Sequence, residues 1–184
     1  MQNIDNKTIK QELRREVRSR VKQLSAEQKS NASRDVFDRV ERLEAFASAR
    51  CIALYAALPD EVPTSEVIER WYAAGRRVVL PRVEGEVMRY YDYTPSSLQS
   101  GYCGIDEPMG DEEVTPSDID MIIVPARAFT TAGVRMGRGG GFYDRYMSLE
   151  GFRAYKVGVA FECQIFEELP SDPHDIMVDE VIYA

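Results

Sequence analysis

Two apolar runs, Cys51-Ile-Ala-Leu-Tyr-Ala56 and Arg77-Val-Val-Leu80-Pro-Arg82, mark the stretch of sequence that decides the fold. Each run has the length of a buried strand. Between them an amphipathic pattern begins at Thr64 or Ser65 and ends at Gly75, a residue type that is common just after helix C-termini. The order strand, helix, strand predicts two parallel strands joined by a right-handed crossover.

Apolar runs farther along the chain extend the predicted sheet. Asp120 to Pro125 and Tyr155 to Ala160 indicate buried strands, and Glu180 to Tyr183 indicates a short last one. Val87 to Tyr93 alternates as a half-buried strand does. The turn-rich, acidic stretch from Thr94 to Ser117 is expected to be mainly loop.

Two helices are predicted before the first strand. Residues 7 to 24 place apolar side chains on one stripe, with Lys10 and Arg14 four residues apart on another. Ser25-Ala-Glu-Gln28 is a capping-box pattern, which starts a second helix that extends to about Phe46. No repeat or linker divides the 184 residues, so we expect one domain, residues 1 to 184. Its expected class is α/β, a three-layer α/β/α domain with a mostly parallel, Rossmann-like sheet.

Charge and composition exclude several kinds of function. The net charge of −8 argues against general nucleic-acid binding, although the first 50 residues carry 12 of the 23 basic side chains. The single histidine, His174, excludes multi-histidine metal centres. The three widely spaced cysteines, the polar N-terminus and the lack of a long apolar run predict a cytoplasmic protein without membrane partners. We expect a monomer or weak dimer.

The glycine segment, which we define as residues 136–145, predicts a phosphate site. It holds four of the 12 glycines, and it follows an apolar run and precedes a helical pattern. Glycines allow backbone N–H groups to converge on an oxyanion, Arg138 and Arg145 can neutralise charge, and Asp144 is a hard oxygen ligand of the kind Mg²⁺ prefers. The segment lacks the Lys-Ser/Thr of a P-loop and has Phe142 where a dinucleotide fingerprint needs glycine or alanine. Bare glycine clusters more often serve turns.

Further short motifs occur in order along the chain: Lys10-x-x-Leu13-Arg14, Asp60-Glu61, Pro81-Arg82, Gly104-Ile105-x-Glu107-Pro108, Val124-Pro125 and Asp175-x-x-Val178-Asp179-Glu180. Together with Gly137 to Asp144, this set resembles the 5-formyltetrahydrofolate cyclo-ligase family, also called methenyltetrahydrofolate synthetases. The resemblance implies an ATP- and Mg²⁺-dependent closure of 5-formyltetrahydrofolate to 5,10-methenyltetrahydrofolate, with release of ADP and phosphate. In the family mechanism the formyl oxygen is phosphorylated before N10 attacks.

The resemblance also implies roles for individual residues. The positions that match the family's ATP site are Lys10, Arg14, Arg138, Gly139, Gly140, Gly141, Phe142 and Tyr143. Asp144 and Asp175 match its Mg²⁺ positions, and the implied catalytic residues are Lys10, Arg138 and Asp144. The folate pocket is matched by Leu58, Glu61 and Tyr143.

Several alternatives stay open at the level of sequence. The chain could be a non-catalytic nucleotide-binding module, or a different ATP-dependent small-molecule kinase or ligase on the same scaffold. Lys10 and Arg14 have the spacing of a solvated helix face, and Phe142 suits the core as well as a ligand. Arg82 and Arg145 are possible phosphate ligands, and Arg145 could instead pair with Asp144. His174 is interpreted either as an exposed loop residue or as a neighbour of the metal or the nucleotide.

Overall fold

The computed structural model describes residues 6–96, 98–100 and 106–184. Cys103 and the Gly104-Ile105 part of the fourth motif lie outside them. The helices are α1 (Asn6–Lys22), α2 (Ala26–Val40), α3 (Glu44–Ser48), α4 (Ser65–Ala73) and α5 (Phe142–Met147). The strands are β1 (Cys51–Ala53), β2 (Arg77–Glu84), β3 (Val87–Asp92), β4 (Leu98–Ser100), β5 (Asp106–Pro108), β6 (Glu113–Val114), β7 (Met121–Pro125), β8 (Ala128–Phe129), β9 (Arg135–Met136), β10 (Tyr155–Ala160) and β11 (Glu180–Tyr183).

A seven-stranded sheet forms the centre of the molecule, with the strand order β11-β10-β7-β1-β2-β3-β6. The pairs from β11 to β2 are parallel, whereas β3 and β6 add to the edge in antiparallel pairs. In the β1–α4–β2 unit the two strands pair in parallel, as predicted, and Cys51 lies opposite Arg77. The prediction of an α/β fold with a mostly parallel sheet is confirmed.

Alternate residues of the strands face two separate apolar cores. In β1, Ile52 packs with side chains of α1 to α4, whereas Cys51 and Ala53 pack on the opposite face with Tyr146 and Met147 of α5. All five residues of β7 are buried, because this strand lies in the middle of the sheet and is covered on both faces. Helices α1 to α4 therefore cover one face of the sheet. The short helix α5, together with loops, covers the other face.

The N-terminal region contains three helices before the first strand, so the prediction of two is wrong. The capping box at Ser25 is present, but α2 ends at Val40 and a tight turn leads into α3. The turn lets the Phe46 ring pack on the Trp71 ring, with centroids 4.8 Å apart. The indole N–H of Trp71 donates to Glu41 Oε1 at 2.6 Å, which ties this turn to α4.

The stretch from residue 94 to residue 117 holds more regular structure than the expected loop. β4 and β5 pair with each other, and β6 pairs with β3, where Val114 lies opposite Tyr90. The β8–β9 hairpin was likewise not predicted. Strands of two or three residues are too short to show a period in sequence, and only their pairing partners define them.

Candidate active site

A cleft of about 850 Å³ opens beside the ends of β7 and β9, between α1 and the glycine segment. This position agrees with the expectation that ligands of parallel sheets bind beyond the carboxyl ends of the strands. We call this space the first cleft. The residues around it are Asn6, Lys7, Lys10, Gln11, Arg14, Glu61, Pro125, Ala126, Arg135, Met136, Gly137, Arg138, Gly139, Gly140, Gly141, Phe142, Tyr143, Asp144, Asp172, His174 and Asp175.

The glycines of the first cleft are required by its local geometry. Gly139 and Gly141 have positive φ angles of 102° and 67°, which side chains with a Cβ rarely adopt. A Cβ at Gly140 would lie 2.8 Å from Cε2 of Phe142, a contact too close to exist. At Gly139 a Cβ would lie 3.5 Å from the guanidinium carbon of Arg14, so the bare backbone allows α1 to approach the segment closely.

Helix α1 supplies two cations to the first cleft. Arg14 Nε donates to the carbonyl oxygen of Gly137 at 2.8 Å and so joins the helix to the glycine segment. Lys10 Nζ donates to Asp172 Oδ2 at 2.7 Å and to Asp175 Oδ2 at 2.6 Å. Burial by itself would lower the pKa of Lys10, but these two carboxylates outweigh it and raise the pKa, so the ammonium stays charged.

A buried arginine holds Asp144 in place. The side chain of Arg135, on β9, is 3% exposed, and its Nη2 donates to Asp144 Oδ1. The same oxygen accepts the N–H of Ile176 at 3.0 Å. Because Ile176 directly follows Asp175, this bond brings the two predicted metal ligands to the same side of the cleft.

The acidic groups of the first cleft suit a hard divalent cation. Ligand atoms of Asp172, His174 and Asp175 lie within 4.8 Å of one another, and Asp144 faces the same space. The ammonium of Lys10 already lies between Asp172 and Asp175, which shows that the position stabilises positive charge. Carboxylate oxygens are the ligands that Mg²⁺ prefers, so the residues present fit this ion. His174 is 78% exposed, and its Nε2 lies 3.9 Å from Asp175 Oδ1, beyond hydrogen-bond distance.

A second cleft of about 600 Å³ adjoins the first, and Glu61 lines both. Its remaining walls come from the loop after β1, from the start of α4, and from β2, β4 and the residue after β3. They are Ala56, Ala57, Leu58, Pro59, Pro63, Thr64, Ser65, Ile68, Glu69, Leu80, Tyr93 and Leu98. The lining is mainly apolar, with Glu61 at the boundary with the first cleft.

Four charged side chains form a network at the boundary between the two clefts. Glu61 Oε2 accepts the N–H of Leu58 at 2.9 Å, and its Oε1 accepts Arg138 Nε at 2.9 Å. Arg138 also donates to Asp60 Oδ1, while the buried Arg127 donates to Asp60 Oδ2. Burial would raise the pKa of Asp60, but the two guanidinium groups lower it, so the carboxyl is ionised at neutral pH.

Comparison with known proteins decides the family. A model described as the 5-formyltetrahydrofolate cyclo-ligase family matches residues 6–184. The chain belongs to the 5-formyltetrahydrofolate cyclo-ligase family. It is therefore an enzyme of the ligase class, as predicted from the motifs.

Relatives within the cyclo-ligase family are similar over nearly their whole length. The 5-formyltetrahydrofolate cyclo-ligase of Escherichia coli K12 is 34% identical over 176 residues, which cover 90% of this chain and 95% of the relative. The mouse protein of the same name is 28% identical over 190 residues, covering 96% and 94%. The NMR structure of Aquifex aeolicus 5,10-methenyltetrahydrofolate synthetase superposes with a TM-score of 0.85 at 36% identity, over 95% of this chain and 89% of that one.

The predicted site residues of this cyclo-ligase family member lie in the two adjoining clefts. Those in the first cleft are Lys10, Arg14, Glu61, Arg138, Gly139, Gly140, Gly141, Phe142, Tyr143, Asp144 and Asp175. Leu58 lines the second cleft. Burial raises the pKa of Tyr143, so its hydroxyl stays protonated and able to donate. Phe142 lines the first cleft and also packs against a core cluster.

Arg82 and Arg145, whose roles the sequence left open, line neither cleft. Arg82 donates to the carbonyl oxygen of Gly110 at 2.9 Å and lies 3.7 Å above the Tyr91 ring, so it supports the loop after β5. Arg145 donates to the carbonyl oxygen of Glu86 at 2.9 Å. The Arg145 guanidinium also lies 5.1 Å from the centroid of the Phe142 ring, so both arginines make structural contacts.

Sequence reasoning assigned no role to four charged residues at or beside the clefts, Asp60, Arg127, Arg135 and Asp172, although Asp60 belongs to one of the quoted motifs. Arg135 lies in β9 and binds Asp144 of the first cleft, whereas Arg127 directly precedes β8 and binds Asp60, the neighbour of Glu61. The β8–β9 pairing was not predicted. A signal did exist for Arg127, since an arginine within the apolar run from Val124 to Phe129 needs a buried partner. Among the described residues, no helix has the length and apolarity to cross a membrane.

Proposed function

We propose that this chain catalyses the ATP- and Mg²⁺-dependent cyclisation of 5-formyltetrahydrofolate to 5,10-methenyltetrahydrofolate, with release of ADP and phosphate. The observation that carries the proposal is the junction of two clefts at Glu61. One is bordered by cations, glycines and carboxylates, and the other is mainly apolar. A phosphate donor and a flat heterocyclic substrate need two such spaces side by side.

The first cleft is the proposed ATP site. Positive φ angles at Gly139 and Gly141 suit a segment whose backbone N–H groups would converge on phosphate oxygens. Lys10, Arg14 and Arg138 border the same space and would neutralise the triphosphate. Charge neutralisation and positioning are the main contributions that proteins make to phosphoryl transfer.

Asp144 and Asp175 would hold the metal ion. Magnesium commonly takes one or two carboxylates, with phosphate oxygens and water completing its six ligands. When bound, Mg²⁺ would offset negative charge on the phosphate oxygens during transfer. Arg135 keeps Asp144 in position. With the metal ion bound, Lys10 would leave Asp172 and Asp175 and move to the nucleotide.

The second cleft is the proposed folate site. Leu58 and its apolar neighbours offer a surface for the pterin ring, and Glu61 offers carboxylate oxygens for the ring's N–H groups. Tyr143 lines the first cleft, and its protonated hydroxyl would serve as a further donor to the folate.

The proposed reaction has two steps and requires no protein nucleophile. The formyl oxygen attacks the γ-phosphorus, the bond from that phosphorus to the β-phosphate oxygen breaks, and ADP leaves. N10 then adds to the activated carbon, loses its proton, and the carbon–oxygen bond breaks to release phosphate. Phosphorylation converts a poor leaving group into a good one, so the side chains need only to align the reactants and balance their charge.

The test mixes purified protein, ATP, Mg²⁺ and 5-formyltetrahydrofolate and follows methenyl absorbance together with phosphate release. We expect both signals in equal amounts, and neither without ATP. A folded sample that binds ATP without either signal would favour the non-catalytic module. Phosphate release with another small molecule, but not with this folate, would favour a different kinase or ligase.

A further inference from the structure

Arg138 is shared between the two clefts. Its side chain is 35% exposed and lies in the first cleft, yet its Nε is hydrogen-bonded to Glu61, which lines both clefts. Its Nη2 is bound to Asp60. In this arrangement Arg138 occupies the Glu61 oxygen, Oε1, that is not already used by the N–H of Leu58.

Asp60 has a second partner, which is buried. Arg127 is 5% exposed and donates to the opposite oxygen of the Asp60 carboxylate. The backbone beside this arginine is fixed as well, since Gln164 Nε2 donates to the carbonyl oxygens of Ala126 and Arg127 at 3.1 and 3.0 Å. Asp60 therefore stays neutralised in place whether or not Arg138 remains in contact with it.

Glu61 has no second charged partner among the described residues. Its side chain is 9% exposed, and without Arg138 the backbone N–H of Leu58 would be its one partner among the described residues. A nearly buried carboxylate without a counter-charge is costly. A ligand in the second cleft that brings N–H donors to Oε1 would remove this cost.

We propose that Arg138 couples the two substrates. Nucleotide phosphate attracts the Arg138 guanidinium away from Glu61, while Arg138 keeps its contact with Asp60, which Arg127 holds in place. Glu61 is thereby released to bind the folate. The inference rests on the proposed function and adds a regulation of that site. Each ligand then favours the other, because bound ATP holds Arg138 away from Glu61 and the folate supplies the donors that Glu61 has lost. Coupling between two sites is reciprocal, and it typically changes affinity about 5- to 150-fold.

The experiment measures the dissociation constant of 5-formyltetrahydrofolate with and without a non-hydrolysable ATP analogue and Mg²⁺. We expect the wild type to bind the folate at least about fivefold more tightly when the analogue is present. Arg138→Met should bring the two constants within about twofold of each other, because Glu61 no longer has a guanidinium to lose. Asp92→Asn breaks the exposed Arg77 pair elsewhere and should keep the wild-type ratio.

Separate outcomes distinguish the coupling from the proposed function. A wild type that turns over and binds both ligands with a ratio near one overturns the coupling and leaves the function intact. A wild type that binds no folate overturns the proposed function, and the coupling with it. If Arg138→Met keeps the wild-type ratio of the two folate dissociation constants, this result also contradicts the coupling. If that variant does not fold, Glu61→Gln replaces it, because a neutral amide should likewise bring the ratio close to one.

Discussion

At the scale of single residues, the site is organised by ion pairs in which one partner is buried. Arg135 and Arg127 are nearly inaccessible; Arg135 holds Asp144 of the first cleft, and Arg127 holds Asp60, the neighbour of Glu61. A buried charge has few alternative partners, so such a pair fixes geometry even where it adds little net stability. Arg135 therefore positions Asp144, the proposed metal ligand, and Arg127 positions Asp60, which in turn binds Arg138.

Asp144→Asn tests one of these pairs. We expect turnover to fall at least about 100-fold, because charge stabilisation by a bound metal is worth several kcal/mol. We also expect a loss of about 3 kcal/mol in the free energy of unfolding, because Arg135 would stay buried without its anion. Initial rates and urea unfolding measure the two effects.

Asp92→Asn is the matched control for this variant, since the Arg77–Asp92 pair is about half exposed on both sides. It should keep wild-type turnover and change stability by less than about 1 kcal/mol. Full activity of Asp144→Asn at limiting Mg²⁺ would show that Asp144 is not a metal ligand.

A second residue-scale prediction concerns pH. Asp120 Oδ2 accepts the N–H groups of Arg50 and Cys51 at 2.8 and 3.0 Å. Burial would raise its pKa, but these bonds lower it below the usual 3.8. A lowered folded-state pKa gives stability that is present above the unfolded value and is lost as pH falls through the folded value. Stability should therefore fall below about pH 4.

Asp120→Asn should lower stability at pH 7 and flatten this acid loss, while turnover at pH 7 is unchanged. Urea unfolding at pH 7 and pH 3 measures the difference. Asp111→Asn, at an exposed position, serves as the control and should follow the wild type at both pH values. An acid loss in Asp120→Asn as steep as in the wild type would refute the assignment.

At the scale of elements, the β8–β9 hairpin connects the sheet to the clefts. Arg127 immediately precedes it and Arg135 lies within it. At its tip Gly133 has a φ of 92°, and its carbonyl oxygen accepts the N–H of Val178 at 3.0 Å. This bond docks the hairpin on the segment that carries Asp175.

Gly133→Ala tests the docking. A Cβ there would lie 2.3 Å from the carbonyl oxygen of Val178, so the segment must move. We expect a loss of at least about 2 kcal/mol in the free energy of unfolding and a lower kcat, although residue 133 lines neither cleft. Urea unfolding and initial rates measure both effects.

Gly75→Ala is the control, because Gly75 has a φ of 81° and nothing within 4 Å of the added Cβ. It should lose about 1 kcal/mol from backbone strain and keep its turnover. Equal kinetics for the two variants would mean that the hairpin does not position the site.

At the scale of the whole molecule, the first cleft lies between the end of β7, α1 and the glycine segment, and the second cleft adjoins it beside α4. Ligand binding should therefore stabilise the whole fold. A non-hydrolysable ATP analogue with Mg²⁺ at 100 times its dissociation constant should add about 2.7 kcal/mol. For a chain of this size that is a rise of about 5 to 10 °C in Tm. Thermal unfolding with and without a chelator measures it, and a rise unaffected by the chelator would argue against metal-assisted binding.

The sequence by itself determined the α/β class, the β1–α4–β2 unit, the buried strands and the family, because periodicity, caps and short motifs are local signals. Family resemblance also selected residues that the structure brings to two adjoining clefts. It did not reveal the short strands, the third N-terminal helix or the supporting arginines. Only the tertiary structure decided that Lys10 contacts Asp175, 165 positions away, and that Arg127 contacts Asp60, 67 positions away. Pairing between distant charges depends on how the elements pack, and no local pattern specifies it.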